Sequence, residues 1–230
     1  ATAGFDYVGV DLQHGLAHAE AMALMLMGAA RTGATPLVRV PANAPDAIGK
    51  ALDAGAHGVI VPMVNSAAEA AAAVAACRYA PTGTRSFGPV RAGLQTAGMS
   101  LAEIDGQLLC LPMVETRDAV DRIEEICATP GVDGIYIGPS DLSITLGLPP
   151  YTDPVAEQLL TAIDRIREAA AEHDLPVGIH TTGGRQARWY LDRGLDMVTV
   201  STDAAILRTA VAAELAAARS QEAAATGGAY

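Results

Sequence analysis

Short apolar runs alternate with Ala-rich stretches along most of this 230-residue chain, and that alternation restricts the fold more than any other feature. Seven runs have the length and residue types of buried β-strands, at residues 7–10, 37–40, 58–64, 108–114, 134–137, 177–179 and 197–200. The intervening stretches predict helices over residues 45–54, 67–78, 117–128, 155–173, 184–193 and 202–219. Buried strands that alternate with helices are typical of a parallel sheet covered on both faces.

The strand count favours a barrel. A (β/α)8 TIM barrel has eight parallel strands and about 250 residues. We therefore predict one (β/α)8 barrel domain over residues 1–230, with its first strand missing from the start of this chain because residues 1–3 resemble the end of a helix. An open doubly wound sheet is the alternative, but no GxGxxG or GxxxxGK[ST] loop follows a predicted strand. Residues 80–107 are rich in Gly and Pro and predict a long irregular connection.

Charge and apolar run length exclude several kinds of partner. The net charge is −11, whereas binding to nucleic acid or to an anionic membrane surface needs clustered Lys and Arg. The longest apolar run, residues 21–30, is half of the roughly 20 residues that a membrane-spanning helix requires. Three cysteines without CxxC spacing make a disulfide framework improbable and predict a reducing, cytoplasmic location.

Two acidic residues follow neighbouring predicted strands. In a barrel the catalytic groups lie at the C-terminal ends of the strands, where Glu115 and Asp141 fall. Two carboxylates suffice to hold a hard divalent cation such as Mg²⁺ or Mn²⁺, with water and substrate oxygens as the other ligands. Each could instead be structural, since Asp141 could cap the next helix and Glu115 could pair with Arg117.

Three basic or titratable side chains also fall on or after strands. Histidine side chains have an unperturbed pKa near neutrality, so His14 could act as a general acid or base; the alternative is a structural loop histidine whose hydrogen bonds are satisfied. Arg39 lies inside an apolar run, where its guanidinium could bind a substrate carboxylate or enolate, or form an internal ion pair with Asp11. His180 directly follows the sixth run, and the sequence assigns it no role.

Lysine is almost absent. The single lysine, Lys50, lies in the predicted helix over residues 45–54, so no lysine stands at a strand end. A Schiff-base enzyme needs a lysine that faces its substrate. Carbon–carbon chemistry would therefore proceed through a metal-stabilised enolate rather than a covalent imine.

Three short motifs carry a family resemblance: Asp-Leu-Gln-His at residues 11–14, Val-Glu-Thr-Arg at 114–117 and Gly-Pro-Ser-Asp-Leu-Ser at 138–143. Together with matching segments at 36–41, 51–55, 59–64 and 78–85, they cover most of the chain from residue 4 to about 210. The chain resembles the class II pyruvate-dependent aldolases of the HpcH/HpaI family, within the phosphoenolpyruvate/pyruvate barrel superfamily.

The resemblance implies roles for particular residues. Glu115 and Asp141 match the family's metal ligands, with Mg²⁺, Mn²⁺ or Co²⁺ as the cation. His14 matches its catalytic histidine, and Arg39 matches the arginine that contacts the pyruvate carbonyl or enolate oxygen. Asp53 matches an aspartate that pairs with the histidine across a subunit interface.

Further implications concern the substrate, the assembly and one departure from the pattern. The backbone around Gly138, Pro139 and Ser140 matches the loop that receives the pyruvate carboxylate. The family is typically a homohexamer that exchanges its C-terminal helix, here about residues 202–219. Met113 stands where many members carry a glutamine near the metal, so metal preference and substrate range could differ.

These implications combine into an expected activity. The chain would be a lyase that reversibly cleaves a 4-hydroxy-2-oxo acid into pyruvate, or a close 2-oxo acid analogue, and an aldehyde. Its partners would be these small molecules and further copies of itself. Two alternatives stay open: a CoA-thioester lyase of the citrate-lyase-like or malyl-CoA type, for which this acidic chain shows no basic nucleotide-binding surface, and a non-catalytic barrel subunit.

Overall fold

A computed structural model describes residues 2–151 and 154–219 of the chain. It contains seven strands: β1 (Tyr7–Asp11), β2 (Thr35–Arg39), β3 (Gly58–Val61), β4 (Leu109–Val114), β5 (Ile135–Ile137), β6 (Val177–His180) and β7 (Met197–Thr199). The helices in this part of the chain are α1 (Ala19–Ala29), α2 (Pro45–Asp53), α3 (Ala67–Cys77), α4 (Arg91–Gln95), α5 (Leu101–Asp105), α6 (Arg117–Asp121), α7 (Ile123–Cys127), α8 (Pro139–Thr145), α9 (Glu157–Ala171), α10 (Gly184–Asp192) and α11 (Asp203–Arg219).

All seven strands form one sheet in chain order, and each pairs in parallel with the next. The sheet curls strongly. Its two edges approach each other so closely that the hydroxyl of Tyr7 on β1 lies 2.7 Å from Oγ1 of Thr199 on β7. The result is a TIM-like barrel that lacks one strand, and it confirms the predicted fold class.

The sheet is apolar on both faces, which explains why its strands read as continuous apolar runs. The outer face packs against the helices through a large cluster that includes Val38, Val59 and Ile137. The inner face carries a smaller cluster of Leu37, Ile60, Leu111, Met113 and Tyr136. Side chains alternate between the two faces along each strand, so the inner residues of each strand are two positions apart.

Several predicted boundaries differ from the structure for local reasons. The strand predicted over residues 58–64 ends at Val61, because Pro62 has no N–H for the sheet and Met63 has a φ of 58°. The helix predicted over residues 117–128 is divided between α6 and α7 at Arg122, whose φ and ψ of −116° and 20° are not helical. The helix predicted over 155–173 is shorter and spans Glu157–Ala171.

Two other expectations were wrong, and one helix was missed. Residues 2–4 form a turn rather than the end of a helix. The connection over residues 80–107 is not irregular throughout, since it contains α4 and α5, and Ser100 and Glu103 form a capping box at the start of α5. Helix α1 was not predicted, because its exposed face is also apolar and hides the helical pattern.

Two further findings concern the cysteines and the length of the apolar helices. Cys77, Cys110 and Cys127 are all free and buried. No helix within residues 2–151 or 154–219 is long and apolar enough to cross a membrane.

Candidate active site

Polar side chains gather on the inner face at the C-terminal end of the barrel. Each lies two residues beyond an inner-face residue of its own strand, so the alternation of side chains turns it inward. The residues that follow this rule are Asp11, Arg39, Glu115 and His180. Leu37 and Met113, which precede Arg39 and Glu115, belong to the inner cluster. Four strands therefore contribute one titratable or charged group each to a common mouth.

Arg39 and Asp11 form a two-point ion pair. Nε and Nη2 of Arg39 donate to Oδ1 and Oδ2 of Asp11 at 2.9 and 2.6 Å, so the internal ion pair considered for Arg39 is present. Burial is the largest single influence and would raise the pKa of Asp11, but the hydrogen bonds and charge of Arg39, with the backbone N–H groups of His14 and Gln13, together lower the pKa. A guanidinium has five N–H donors, so Arg39 keeps donors for a ligand while Asp11 fixes its orientation.

Glu115 is a buried carboxylate with one oxygen unsatisfied. It is 1% exposed, and the backbone N–H of Met63 donates to its Oε1 at 2.8 Å. Oε2 has no hydrogen-bond partner among the described residues. Burial, together with the charge of Asp141, raises the pKa of Glu115 to about 6, although Met63 and Arg39 oppose the shift. A buried oxygen of this kind is expected where a ligand or ion completes the site.

The turn after β5 brings Asp141 towards Glu115. Gly138 is the N-cap of α8, and Pro139 and Ser140 precede Asp141 in its first turn. Asp141 is therefore not the helix cap, and Glu115 makes no ion pair with Arg117 in the described ranges. The two structural roles considered for these carboxylates are absent there.

The close approach of β4 to this turn requires glycine at position 138. A Cβ on Gly138 would lie 2.5 Å from Oε2 of Glu115 and 2.7 Å from Cε of Met113. Heavy atoms do not approach so closely without displacement, so the unpaired oxygen of Glu115 occupies the space that a side chain at 138 would take. Met113 is buried beside it and offers a thioether, a poor ligand for a hard cation.

The donor set fits a hard divalent cation. No group of three or more His, Cys, Asp or Glu side chains that could hold a metal is found among residues 2–151 and 154–219. Mg²⁺ needs no such group, since one or two carboxylates with water and substrate oxygens suffice. Glu115, with its unsatisfied Oε2, and Asp141, close enough to raise the pKa of Glu115, supply that minimum.

His14 and Asp53 are not brought together within one protomer. His14 follows β1 at the barrel mouth, where it is exposed and its backbone N–H lies 3.3 Å from Oδ1 of Asp11. Asp53 ends α2, which starts at the mouth and runs back towards the other end of the barrel. Asp53 accepts a hydrogen bond of 2.8 Å from Nη2 of Arg85, whose side chain is almost fully buried.

Sequence reasoning missed four residues of this region. Tyr7, Tyr136 and Thr199 join their hydroxyl groups across the barrel interior, and strict alternation along the strands would have placed all three on the inner face. The fourth residue is Met63, whose backbone N–H donates to Glu115. Its backbone has a positive φ, which a methionine in the sequence gives no reason to expect.

Comparison with known proteins agrees with this architecture. Residues 1–210 match the family model of the HpcH/HpaI aldolase/citrate lyase proteins. A relative from Rhizorhabdus wittichii named hydroxypyruvate/pyruvate aldolase is 41% identical over 94% of this chain and 86% of its own length. A 5-keto-4-deoxy-D-glucarate aldolase from Klebsiella pneumoniae is 35% identical over 90% of this chain and 81% of its own.

A crystal structure of an HpcH/HpaI aldolase/citrate lyase family protein from Burkholderia cenocepacia has the same fold. It superposes with a TM-score of 0.86 and 32% identity, covering 95% of this chain and 87% of its own. The family model, the sequence identity to the relatives and the barrel fold all agree. The chain belongs to the HpcH/HpaI aldolase/citrate lyase family.

Proposed function

We propose that this protein is a metal-dependent aldolase that reversibly cleaves a 4-hydroxy-2-oxo acid into a small 2-oxo acid and an aldehyde. The observation that carries the proposal is the unsatisfied Oε2 of Glu115, buried near Asp141 and Arg39 at the barrel mouth. The relatives named as aldolases support it, and their names make pyruvate and hydroxypyruvate the first 2-oxo acids to test. Lys50 lies on α2 and not at a strand end, which disfavours an imine route.

Glu115 and Asp141 would hold the cation. Mg²⁺, Mn²⁺ or Co²⁺ at this position supplies Lewis-acid polarisation of the 2-oxo acid's carbonyl group. The backbone of Met63 keeps Glu115 oriented, and Gly138 leaves room for its second oxygen. Asp141 adds a second negative charge, which suits a divalent cation better than a single carboxylate would.

Arg39 would bind the oxygen on which negative charge develops. When the C3–C4 bond of the substrate breaks, its electron pair moves into the 2-oxo acid fragment and towards the C2 oxygen. A fixed guanidinium stabilises that charge without having to reorganise, and Asp11 provides the fixation. The turn of Gly138, Pro139 and Ser140 would receive the carboxylate through the N–H of Ser140, because Pro139 has no N–H and that of Gly138 donates to the carbonyl of Val114.

His14 would take the proton from the 4-hydroxyl group in cleavage and return it in the reverse direction. Asp53 would orient it from a neighbouring subunit, because the two residues lie apart within one protomer. The proposal therefore includes a homo-oligomer, a hexamer by analogy with the family. Helix α11 supports this, since none of its residues is buried although it carries Ile206, Leu207, Val211 and Leu215. We place this assembly in the cytoplasm, where the three buried cysteines would stay reduced.

The test follows the exchange of pyruvate methyl protons in D₂O by NMR. Exchange should require Mg²⁺, Mn²⁺ or Co²⁺ and should stop with EDTA. Glu115→Gln and Asp141→Asn should each reduce it by at least about 100-fold, as loss of a group that fixes the reacting atoms does. Glu172→Gln, which changes an exposed carboxylate at the end of α9, is the matched control and should exchange at the unaltered rate.

An aldehyde screen would then identify the acceptor. An Asp141→Asn protein with full metal-dependent exchange would contradict the metal assignment. Exchange with an acyl-CoA but with no free 2-oxo acid would favour the CoA-thioester lyase instead. A folded protein that processes neither class of substrate would favour the non-catalytic subunit.

A further inference from the structure

His180 occupies the inner-face position at the end of β6. It pairs in register with Thr199 on β7, and Gly178, two residues earlier, lies against the ring of Tyr136 in the barrel interior. Alternation along the strand therefore turns the imidazole of His180 inward, like Asp11 and Arg39 on their own strands. Its side chain is only partly buried, so it borders the open mouth rather than the packed interior.

Burial and a neighbouring charge favour the neutral form of the His180 side chain. Burial and the nearby Arg39 lower its pKa, and Asp11 opposes that shift only in part. A neutral imidazole has one N–H donor and one acceptor nitrogen. Neither ring nitrogen of His180 has a hydrogen-bond partner within residues 2–151 and 154–219.

The inner face of β1, which carries Asp11, is open beside Gly9. Gly9 on β1 shares the inner face with Tyr7 and Asp11, and a Cβ built on it meets no atom within 4 Å. Beneath this space the hydroxyl groups of Tyr7, Thr199 and Tyr136 are joined to one another. This side of the mouth therefore combines the imidazole with neutral hydroxyl groups, and the Asp11–Arg39 ion pair lies close enough to influence the imidazole.

We propose that His180 is a specificity-determining residue that hydrogen-bonds a hydroxyl group of the substrate and so favours hydroxylated substrates over their deoxy analogues. This inference rests on the proposed aldolase function and deepens it. A neutral group that can both donate and accept suits a hydroxyl, which does the same. A substrate without that hydroxyl displaces water from the imidazole and leaves it unpaired, and this penalty creates the discrimination.

The hydroxyl could belong to either reactant, and the two sources can be separated. In one arm hydroxypyruvate and pyruvate are compared as donors with the same aldehyde. In the other, glycolaldehyde and acetaldehyde are compared as acceptors with pyruvate. The arm in which the preference depends on residue 180 identifies the reactant that carries the hydroxyl.

The measured quantity is the ratio of kcat/KM for the hydroxylated and the deoxy member of each pair. In one arm His180→Leu should lower that ratio by about fivefold or more, the scale of one neutral hydrogen bond. His180→Gln keeps a neutral donor and acceptor and should restore much of the preference. His173→Leu removes an exposed histidine after α9 and should leave both ratios as they are.

The ratio separates specificity from a structural role. Equal loss of kcat/KM for both members of each pair, or unchanged ratios in both arms, would overturn the inference. The binding of hydroxypyruvate, pyruvate and glycolaldehyde to wild type and His180→Leu is measured in parallel by saturation-transfer NMR. Wild type could turn over no substrate and still bind a hydroxylated ligand preferentially. If the His180→Leu protein lacks that preference, the aldolase proposal fails and this inference stands. Binding of none of the three would overturn both.

Discussion

At the scale of single residues, the site depends as much on a missing side chain as on the charged ones. Glu115 is positioned by one hydrogen bond from Met63, and its other oxygen extends into the space beside Gly138. Any larger residue at 138 has to displace both that carboxylate and the end of the Met113 side chain. The glycine therefore belongs to the metal-binding geometry although it offers no side chain of its own.

Gly138→Ala tests this directly. The added methyl group should displace the Glu115 carboxylate, weaken Mn²⁺ binding and reduce pyruvate proton exchange by about 100-fold, since a displacement of about 1 Å can have that effect. Overpacking should also lower the free energy of unfolding by about 1–3 kcal/mol. Mn²⁺ affinity by electron paramagnetic resonance and thermal unfolding are the measurements.

Gly33→Ala is the matched control. A Cβ on Gly33 meets no atom within 4 Å, and the residue lies outside the barrel mouth. Its unfolding free energy should stay within about 0.5 kcal/mol of wild type. Wild-type Mn²⁺ affinity in Gly138→Ala would show that the carboxylate tolerates the methyl group and would contradict the account of this turn.

At the scale of elements, the strands were predictable and the joints between elements were not. All seven predicted runs contain strands, because burial on both faces leaves a continuous apolar pattern. That pattern also identified Glu115 and Asp141 as residues that follow strands. It could not choose between the two roles of Arg39, because the ion pair depends on the register that sets Asp11 opposite Arg39. The break at Arg122 and the left-handed Met63 depend on tertiary packing and leave no local signal.

The hydroxyl groups of Tyr7, Tyr136 and Thr199 form a cluster that joins strands at the two edges of the sheet, and its contribution to stability can be tested. Thr199→Val removes the oxygen shared by Tyr7 and Tyr136 and leaves their phenols without it, so the unfolding free energy should fall by about 1–3 kcal/mol. Tyr7→Phe removes one partner only and should lower it by about 0.5–1.5 kcal/mol. Hydrogen exchange should accelerate in β1 and β7 more than in β3.

Tyr151→Phe removes a phenol that is mostly exposed and should leave both measurements unchanged. Urea unfolding gives the free energies, and mass spectrometry of exchanged peptides gives the local rates. If Thr199→Val were as stable as wild type, or if its exchange rose equally in all strands, the cluster would not be what holds the two edges together.

At the scale of the whole molecule, an isolated protomer leaves too much apolar surface exposed. Leu207, Val211 and Leu215 are spaced four residues apart and form one stripe on α11, and Leu207 is 65% exposed. Leu24 and Met27 add exposed apolar surface on α1. Contiguous apolar surface of this kind marks an interaction site. Self-association would cover it and would also let Asp53 of one copy reach His14 of another.

Subunit complementation tests the shared site. His14→Ala and Asp53→Asn should each be nearly inactive alone, because each lacks one member of the His–Asp pair. When both variants are co-expressed with different tags, a site that takes His14 from one subunit and Asp53 from its neighbour is intact in about a quarter of random pairings. Mixed oligomers isolated through both tags should therefore recover roughly that fraction of the wild-type rate.

Asp53→Asn is preferred to alanine because Asp53 also pairs with the buried Arg85, and a neutral amide still accepts a hydrogen bond from it. Thermal unfolding of each variant alone checks that both fold. If His14 and Asp53 acted within one protomer, no subunit in the mixture would carry both, and activity would not return at any mixing ratio. A return that disappears when Leu207→Glu disrupts the α11 stripe would link the assembly to the chemistry.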